Sequence, residues 1–320
     1  MPTNVGTFTV FGAIEQKWLG LGGVGGLLGA PLSNESPTFD GAGRAQTFQK
    51  GIVSWHPTIG AHEVHGAILA RWLEVGREQF GHPITDESSC PDNKGRFNHF
   101  RALQFPGPPE SSIYWSAATG PHDIFGAIRD TWASMGFERS FLGYPVGSEH
   151  DVPGARVQQF QGGVMTWTAS DGASAHAVSG DTVKFDSGQV NSDLAQNGNV
   201  QLVIQRNGTC TFSTHVHDSG ASDIDYAMVA ILATSAGDRF SFAHKGKIHG
   251  IIGNRDDDLS TPGQDPALAA AFNDIVASGR LLPKLTGDDK LFGAIEDLLS
   301  DAAKQLAAAG IKALVTVIAA

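Results

Sequence analysis

Apolar and polar positions recur along the first half of the chain in a pattern that is repeated three times. Each copy begins with Gly-Ala-Ile, and a tryptophan follows four residues after the isoleucine, at Trp18, Trp72 and Trp132. Residues four apart share one face of a helix. The pattern therefore predicts a short amphipathic helix at the start of each copy, with its tryptophan in a core.

Further repeated positions follow each predicted helix. A Gly-x-Pro turn ends the helix, and alternating apolar and polar residues then predict short β-strands. Between these features lie a glutamate (Glu35, Glu87, Glu149), an arginine (Arg44, Arg96, Arg156) and a second tryptophan (Trp55, Trp115, Trp167). All six tryptophans occupy these two repeated positions. We therefore predict three tandem units, over residues 12–65, 66–125 and 126–178 of a first domain at 1–178.

The repeated motif resembles the LGFP repeat. Leu28-Gly29-Ala30-Pro31 and Leu142-Gly143-Tyr144-Pro145 match its signature tetrad, and Phe80-Gly81-His82-Pro83 is a divergent copy. The resemblance implies a propeller-like ring that binds cell-wall polysaccharide in actinobacterial envelopes, often beside mycolyltransferases or peptidoglycan hydrolases. It also implies a secreted or cell-surface location, although the N-terminus shows no signal peptide. Since a full ring is expected to need about five units, we expect residues 5–11 to close it or a second chain to complete it as a homo-oligomer.

The second half of the chain, residues 181–320, shows a different pattern. Five strand-like segments predict an antiparallel β-sandwich over residues 181–252, and apolar periodicity predicts helices over 265–320. The five segments are Thr182–Val190, Val200–Arg206, Thr209–His217, Ile224–Ala233 and Arg239–Gly250. The fold class predicted for the whole chain is mainly β with short helices (α+β).

Composition and charge exclude several classes of partner. The net charge of −11 argues against nucleic acid and against an anionic membrane surface. The longest apolar stretch is too short to span a bilayer, so no transmembrane segment is predicted. The two cysteines, Cys90 and Cys210, lie far apart in sequence and are expected to be unlinked thiols.

Motifs for catalysis or cofactor binding are weak in this sequence. There is no G-x-S-x-G elbow, no P-loop and no dinucleotide fingerprint, so we predict no enzyme activity and no cofactor. His215 and His217 are the best metal-like feature, because alternate residues of a strand share a face. A polar sheet face without an ion is the favoured interpretation, and no metal ligand is assigned. Asp256-Asp257-Asp258 is interpreted as a solvated acidic loop.

The second tryptophan of each unit is the best candidate for ligand binding. Sugars stack their C–H faces on aromatic rings while polar groups hold their hydroxyls. Histidine-bearing loops follow Trp55 and Trp115, and the candidate glycan site therefore includes His62 and His122 beside the repeated tryptophans, arginines and glutamates. Ser174 replaces the loop histidine after Trp167, so we expect that copy to contribute least.

The predicted function is a non-catalytic protein that binds cell-wall polysaccharide. Two alternatives remain open at this stage. One is a structural or interaction module whose partner is a protein. The other is a hydrolase of cell-wall polymer with its site in the C-terminal half.

Overall fold

Antiparallel β-sheets and a few short helices make up the protein. The structure is a computed structural model that describes residues 3–103, 110–152, 154–170, 172–192, 195–249, 255–287 and 314–319. It confirms the mainly β class with short helices that the sequence predicts. A propeller ring is not confirmed.

Each of the three units begins with a nine-residue helix, α1 at Gly12–Gly20, α2 at Gly66–Glu74 and α3 at Gly126–Ser134. A hairpin of β1 (Thr3–Val5) and β2 (Phe8–Val10) precedes α1. The first residue of each helix has a φ of 64°, 57° or 58°, a left-handed value that glycine adopts without strain. This backbone requirement explains why Gly12, Gly66 and Gly126 recur in the motif.

A small antiparallel sheet follows each helix. The strands are β3 Ser36–Pro37, β4 Arg44–Thr47, β5 Gly51–His56 and β6 Gly60–His65 in the first unit; β7 His82–Pro83, β8 Ser88–Ser89, β9 Gly95–Arg101, β10 Glu110–Ser116 and β11 Gly120–Phe125 in the second; and β12 His150–Val152, β13 Ala155–Phe160, β14 Gly163–Thr168 and β15 Gly172–Ser179 in the third. Strand β6 leads directly into α2, and β11 leads directly into α3. Single-turn 3₁₀ helices follow the three α-helices at Gly23–Gly25, Arg77–Gln79 and Phe137–Arg139.

Helices α2 and α3 are each packed between the sheets of two successive units. Trp72 of α2 is fully buried in a core that takes Val64 from the first sheet and Ile113 from the second. Trp132 of α3 occupies the equivalent core between the second and third sheets. In the first unit, Val10 of the preceding strand β2 packs in the same core as Trp18. The predicted amphipathic helices with core tryptophans are thereby confirmed, and the units depend on their neighbours for burial.

A buried side-chain amide ties each unit to the strand before it. The Nε2 group of Gln46 donates to the backbone oxygens of Thr9 (3.1 Å) and Ser33 (2.8 Å). The Nδ2 group of Asn98 donates to Glu63 (3.1 Å) and Thr85 (3.0 Å). Gln158 donates in the same way to Asp123 (3.4 Å) and to Gly147. Each amide therefore joins a strand that precedes its unit to a loop of its own unit.

The variable residue of Gly-x-Pro makes a second contact between units. In the second unit His82 donates from Nε2 to Asp40 Oδ2 of the first unit, at 3.0 Å. In the third unit the hydroxyl of Tyr144 donates to Asp92 Oδ1 of the second unit, at 2.6 Å. Ala30 holds this position in the first unit and has no side-chain donor.

In the described part of the second half, strands β16 to β24 and two short helices complete two layers, the first of which continues the third unit's sheet. Their bounds are β16 Thr182–Asp186, β17 Val190–Asn191, β18 Gln196–Gln205, β19 Thr209–Asp218, β20 Ile224–Ala233, β21 Arg239–Ile248, β22 Asp256–Gln264, α4 Pro266–Ala270, α5 Phe272–Ser278, β23 Arg280–Gly287 and β24 Leu314–Ala319. The first layer has the order β12-β13-β14-β15-β16-β18-β19-β22. The second has the order β23-β20-β21-β24, with β21 and β24 parallel.

One hydrophobic core lies between these two layers. Phe185 and Phe212 of the first layer pack with Tyr226 and Phe242 of the second, and all four are fully buried. Helices α4 and α5 add Leu268, Phe272 and Ile275 to the same core. Four predicted strands are confirmed as β18, β19, β20 and β21, and the one predicted at Thr182–Val190 is confirmed in part as β16.

The predicted closure of a ring by residues 5–11 is wrong in the described residues. Strand β2 pairs with β1, and the outer edge of the third unit's sheet is β15, which pairs with β16. That edge is therefore already hydrogen-bonded and cannot accept the N-terminal strand. The predicted boundary between residues 178 and 181 lies in the turn of the β15–β16 hairpin, inside one continuous sheet.

The helices predicted throughout 265–320 are present only in part. Residues 266–270 and 272–278 are helical, but Arg280–Gly287 and Leu314–Ala319 are strands, and 288–313 lie outside the described residues. Pairing of β23 with the apolar strand β20 overrides the helical periodicity there, and Val and Ile in β24 favour extended backbone. The acidic loop predicted at 256–258 is also wrong, because these residues begin the edge strand β22.

We predict that Asn98→Ala destabilises the protein by about 1–3 kcal/mol, because two buried carbonyl oxygens lose their donor. Urea-induced unfolding measures the change in the free energy of unfolding. Asn197→Ala is the matched control, since that side chain makes no hydrogen bond to another described residue. Equal stability of the two variants would contradict the role given to the buried amide.

Candidate functional site

The second tryptophan of each unit lies opposite the repeated arginine. Arg44 pairs with Trp55 across β4 and β5, and the same register recurs for Arg96 with Trp115 and for Arg156 with Trp167. Opposed residues of antiparallel strands project to the same face of a sheet. These three tryptophans are partly exposed, whereas the helix tryptophans are buried.

Two equivalent cavities lie at these residues, one in each of the first two units. The first has a volume of about 250 Å³ and is lined by Glu35, Arg44 and Trp55 together with residues 11–14 at the start of α1. The second also has about 250 Å³ and is lined by Glu87, Arg96 and Trp115 together with residues 65–68 at the start of α2. The structure thus brings together the glutamate, the arginine and the tryptophan that the repeat predicts.

Each cavity combines three kinds of contact. The indole provides an aromatic face, the arginine a cationic donor and the glutamate an acceptor. No side chain caps α1 or α2, so the backbone N–H groups at the start of each helix remain as further donors on the cavity wall. The arrangement can therefore hold a ligand that has an apolar face and several hydroxyl groups.

The repeated arginine is paired more closely with carboxylates in each successive unit. Arg44 makes no ion pair with a described carboxylate, and Arg96 lies 4.0 Å from Glu87. Arg156 pairs with Glu149 at 2.9 Å and with Asp151 at 3.1 Å. Its guanidinium group also lies 5.5 Å from the ring centre of Phe125, at the position of Phe11 and His65 in the other cavities. The third copy therefore offers a ligand less of its arginine.

The predicted site histidines do not join the tryptophans. His62 pairs with Ser54 and His122 with Tyr114, each one residue before its tryptophan, so both face the opposite side of the sheet. His62 Nδ1 lies 3.4 Å from Asp86 Oδ1, and His122 donates from Nε2 to the backbone oxygen of Thr119 at 2.9 Å. The two histidines therefore do not lie on the tryptophan face, because side chains alternate along a strand.

Burial raises the pKa of the glutamate in each unit. For Glu35 the charge of Arg44 partly opposes the effect of burial on the pKa. For Glu149 burial raises the pKa against the opposing charge of Arg156. For Glu87 burial raises the pKa and the negative charge of Glu63 adds to the effect, while His65 and Arg96 oppose it. These carboxyl groups are thus strong acceptors placed in partly desolvated surroundings.

His65 makes the second cavity chemically different from the first. Its Nδ1 lies 2.7 Å from Glu63 Oε2, and its Nε2 lies 3.5 Å from Glu87 Oε2. The hydrogen bond to Glu63 raises the pKa of His65, and the charges of Glu63 and Glu87 raise it further. Burial and the charge of Arg96 lower the pKa but do not cancel the rise. The first and third units have Phe11 and Phe125 at this position, so only the second cavity holds a titrating ring.

Asp40, His56 and His82 form a cluster of potential metal ligands between the first two units. His56 Nδ1 accepts from the backbone N–H of Thr58 at 3.2 Å, so its proton is on Nε2, 3.4 Å from Asp40. Burial raises the pKa of Asp40, but hydrogen bonds from Thr38, His82 and Ala42 and the charge of His82 lower it to about 2. Burial and the charge of His82 lower the pKa of His56. These hydrogen bonds indicate that the cluster holds the first two units together.

Cys90, Asp92 and Glu138 form a similar cluster between the second and third units. Burial raises the pKa of the Cys90 thiol to about 11, so the group is protonated and inert near neutral pH. Cys90 and Cys210 are both free thiols, as expected. Asp92 accepts the hydroxyl of Tyr144, so this cluster also serves the contact between units.

Sequence reasoning missed the contribution of the helix start to each cavity. Residues 11–14 and 65–68 precede and open the helices, and the repeat itself marks them through Gly-Ala-Ile. The sequence shows that the residue before Gly-Ala-Ile is large in every unit. Only the fold shows that this residue faces the second tryptophan. The difference between Phe11 and His65 is visible in the sequence once these positions are aligned.

The structure defines a tandem-repeat β protein in which equivalent cavities lie in the first two units. The LGFP repeat family matches residues 28–79, 80–140 and 142–184, so the chain carries three LGFP repeats, as its motif predicts. No curated protein matches the chain. LGFP repeats are found in surface or secreted proteins. Within the described part of the chain, no helix is long and apolar enough to cross a membrane.

We predict that His65 makes stability depend on pH. Its folded-state pKa is raised, so its stabilising contribution is complete below the ordinary value of 6.5 and is lost as the pH rises through the folded value. Urea-induced unfolding of the wild type and of His65→Phe, measured from about pH 6 to about pH 9, tests this. The wild type should lose stability relative to the variant as the pH rises.

His122→Phe is the control for this experiment. The His122 ring donates to a backbone oxygen, and no ion pair joins it to a described carboxylate, so this variant removes a ring without removing the pairs that His65 makes. Parallel stability curves for the wild type and His65→Phe would show that the two glutamates do not act on His65.

Proposed function

We propose that the protein is a non-catalytic glycan-binding protein and that its partner is a cell-wall polysaccharide. The observation that carries the proposal is the recurrence of one cavity, with the same glutamate, arginine and tryptophan, in two successive units. Partly exposed tryptophans in both cavities provide the surface on which a sugar ring stacks.

The cavity walls match the chemistry of a sugar ring. Trp55 contacts one C–H face in this proposal, while Arg44 donates to hydroxyl oxygens and Glu35 accepts from a hydroxyl group. Each cavity of about 250 Å³ lies below the usual range for drug-sized ligands, about 300–1,000 Å³. Each therefore accommodates a single sugar unit rather than an oligosaccharide.

Several weak sites act together on a polymer. Two cavities on one chain raise the effective concentration of the second contact once the first is made. Assembly of the chain into homo-oligomers belongs to this proposal, since it would add equivalent sites. A polysaccharide at the cell surface is the matching ligand, in keeping with the location of LGFP proteins.

Protein binding by the first unit is a second candidate function. Exposed apolar side chains are concentrated there, including Leu19, Val24, Leu32 and Phe39, which is 63% exposed. Apolar side chains in such a group are typical of contacts with another protein. This function and glycan binding predict different effects of the variants described below, so they can be tested separately.

We predict that Arg44→Ala together with Arg96→Ala weakens retention of the full chain on insoluble cell-wall polysaccharide by about 10-fold or more. Both arginines are exposed, so the fold should persist, which thermal unfolding checks. Trp55→Ala with Trp115→Ala should have a larger effect on retention, with some loss of stability.

Arg156→Ala and Trp167→Ala are the matched controls, because the third arginine is already paired with two carboxylates. They should reduce retention least. Retention that is unchanged in the Arg44 and Arg96 double variant would refute the glycan site. Retention of a protein partner by that double variant, with no binding of polysaccharide by the wild type, would favour the second candidate function.

A further inference from the structure

A cysteine and two carboxylates meet at the junction between the second and third units. Cys90 and Asp92 lie in the turn between β8 and β9, and Glu138 lies in the 3₁₀ helix that follows α3. One ligand atom of each side chain lies within 4.8 Å of those of the other two. Sulfur and oxygen ligands of one tetrahedral zinc are about 3.4–3.6 Å apart when their bonds are about 2.1–2.3 Å long. Shifts of about 1 Å would therefore bring all three side chains onto one ion.

Glu138 is a buried carboxylate without a partner in the described part of the chain. The residue is 6% exposed, and neither of its side-chain oxygens accepts a hydrogen bond from a described group. No described basic side chain forms an ion pair with it. Buried carboxylates in proteins are normally protonated, paired with a cation or bound to a metal ion. A proton or a cation from solution must therefore accompany Glu138.

The junction between the first and second units provides an internal comparison. In both junctions the two turn residues lie six and four positions before the repeated arginine, and the glutamate is the middle residue of a 3₁₀ helix. The two turns also share a backbone hydrogen bond, in which the first turn residue donates to the glycine before the arginine, at 3.2 Å and 3.0 Å. The counterparts of Cys90, Asp92 and Glu138 are therefore Thr38, Asp40 and Glu78.

The first junction satisfies its carboxylates with protein groups. The hydroxyl of Thr38 donates to Asp40 Oδ1 at 2.6 Å, and His82 donates from Nε2 to Asp40 Oδ2 at 3.0 Å. The guanidinium group of Arg77 forms an ion pair with Glu78 at 3.1 Å. A hydroxyl donor and an adjacent cation are thus the two partners that this junction supplies from its own sequence.

Two replacements remove these partners at the second junction. Cys90 takes the place of Thr38, so a thiol stands where the first junction has a hydroxyl donor. Phe137 takes the place of Arg77, so the cation beside the glutamate is lost. The same two changes add a sulfur atom, which as a thiolate is a strong ligand for zinc. The second junction therefore keeps both carboxylates, lacks the cation and gains a metal ligand.

We propose that the second junction is a zinc site that joins the second and third units. The ligands are Sγ of Cys90, a carboxylate oxygen of Asp92 and both oxygens of Glu138. Tyr144 is a positioning residue, because its hydroxyl donates to Asp92 Oδ1 at 2.6 Å and fixes the orientation of that carboxylate. A thiolate ligand favours zinc over calcium and magnesium, which prefer oxygen.

Zinc binding removes the proton of the Cys90 thiol. Burial raises the pKa of this thiol to about 11, so the S–H bond is intact near neutral pH when no ion is bound. A metal ion displaces the proton, which passes to solvent as the Zn–S bond forms. The affinity for zinc should therefore increase as the pH rises toward the pKa of the thiol.

A proton held between Asp92 and Glu138 is the competing explanation. Burial raises the pKa of Glu138, and the negative charge of Asp92 raises it further, so a protonated Glu138 would need no ion. The shared proton accounts for the two carboxylates but gives no role to the thiol of Cys90. It predicts no affinity for zinc, whereas the proposal predicts one zinc ion per chain.

Isothermal titration of the reduced, chelator-treated full chain with zinc chloride tests the proposal, and magnesium chloride provides the comparison. We expect one zinc ion per chain and no comparable heat with magnesium. Glu138→Gln should weaken zinc binding by at least about 10-fold, and Tyr144→Phe should weaken it by about 10-fold. Glu78→Gln, the matched control at the first junction, should bind zinc as the wild type does. Thermal unfolding of each variant verifies the fold.

Cobalt chloride provides the test of the thiolate ligand. Cobalt(II) binds the same kinds of ligand as zinc, and a bond from cobalt to a thiolate adds a charge-transfer absorption in the near ultraviolet. We expect this absorption in the wild type and in Cys210→Ala, because Cys210 lies in the core of the second half. Cys90→Thr, which copies the residue of the first junction, should lose the absorption and keep the fold.

Three outcomes would overturn the proposal. No zinc binding by the wild type would favour the shared proton. A cobalt complex of the wild type without the thiolate absorption would show that Cys90 is not a ligand. Zinc binding that is unchanged in both Glu138→Gln and Cys90→Thr would direct attention to the other cluster, formed by Asp40, His56 and His82.

Discussion

Burial of one tryptophan per unit is the constraint on which the repeat half depends. A nine-residue helix has too little surface to enclose an indole, so Trp72 and Trp132 are each covered by two successive sheets. Truncating a fully buried tryptophan typically costs about 3–5 kcal/mol. Such a penalty in every unit makes the units cooperative, because no helix has a complete core without the sheet before it. The geometry of the two cavities depends on this packing, since the start of α1 or α2 forms one wall of each.

Polar contacts then decide how successive units are aligned. The buried amides of Gln46, Asn98 and Gln158 satisfy backbone oxygens on both sides of each junction. An apolar interface alone would allow the sheets to slide, whereas a buried amide with two fixed acceptors permits one position. This precision matters at the cavities, where the start of a helix must face an arginine and a tryptophan carried by strands of the following sheet.

Sequence patterns predicted those parts that local periodicity determines. Ile14 and Trp18 at helical spacing gave the helix, and the repeat gave the Glu35, Arg44 and Trp55 group that the fold brings together. The side of the sheet occupied by His62 could not be predicted, because a shift of one residue in strand register reverses it. Strand β22 was missed because Asp, Gly and Pro are typical of loops, yet an edge strand tolerates them. The strand at Leu314–Ala319 depends on a distant partner, β21, that no local pattern reveals.

The contact between Gly-x-Pro and the preceding unit also limits the length of the array. A unit added before the first would present an aspartate to Ala30, which has nothing to donate. A unit added after the third would find a shorter turn, with six residues between Glu149 and Arg156 where eight separate Glu87 from Arg96. Both junctions between units carry this polar contact, whereas Ala30 in the first unit cannot make it. A unit added at either end would therefore lack the polar contact that joins successive units. If copies of the repeat half were joined in one chain, each set of three units would pack as a separate group.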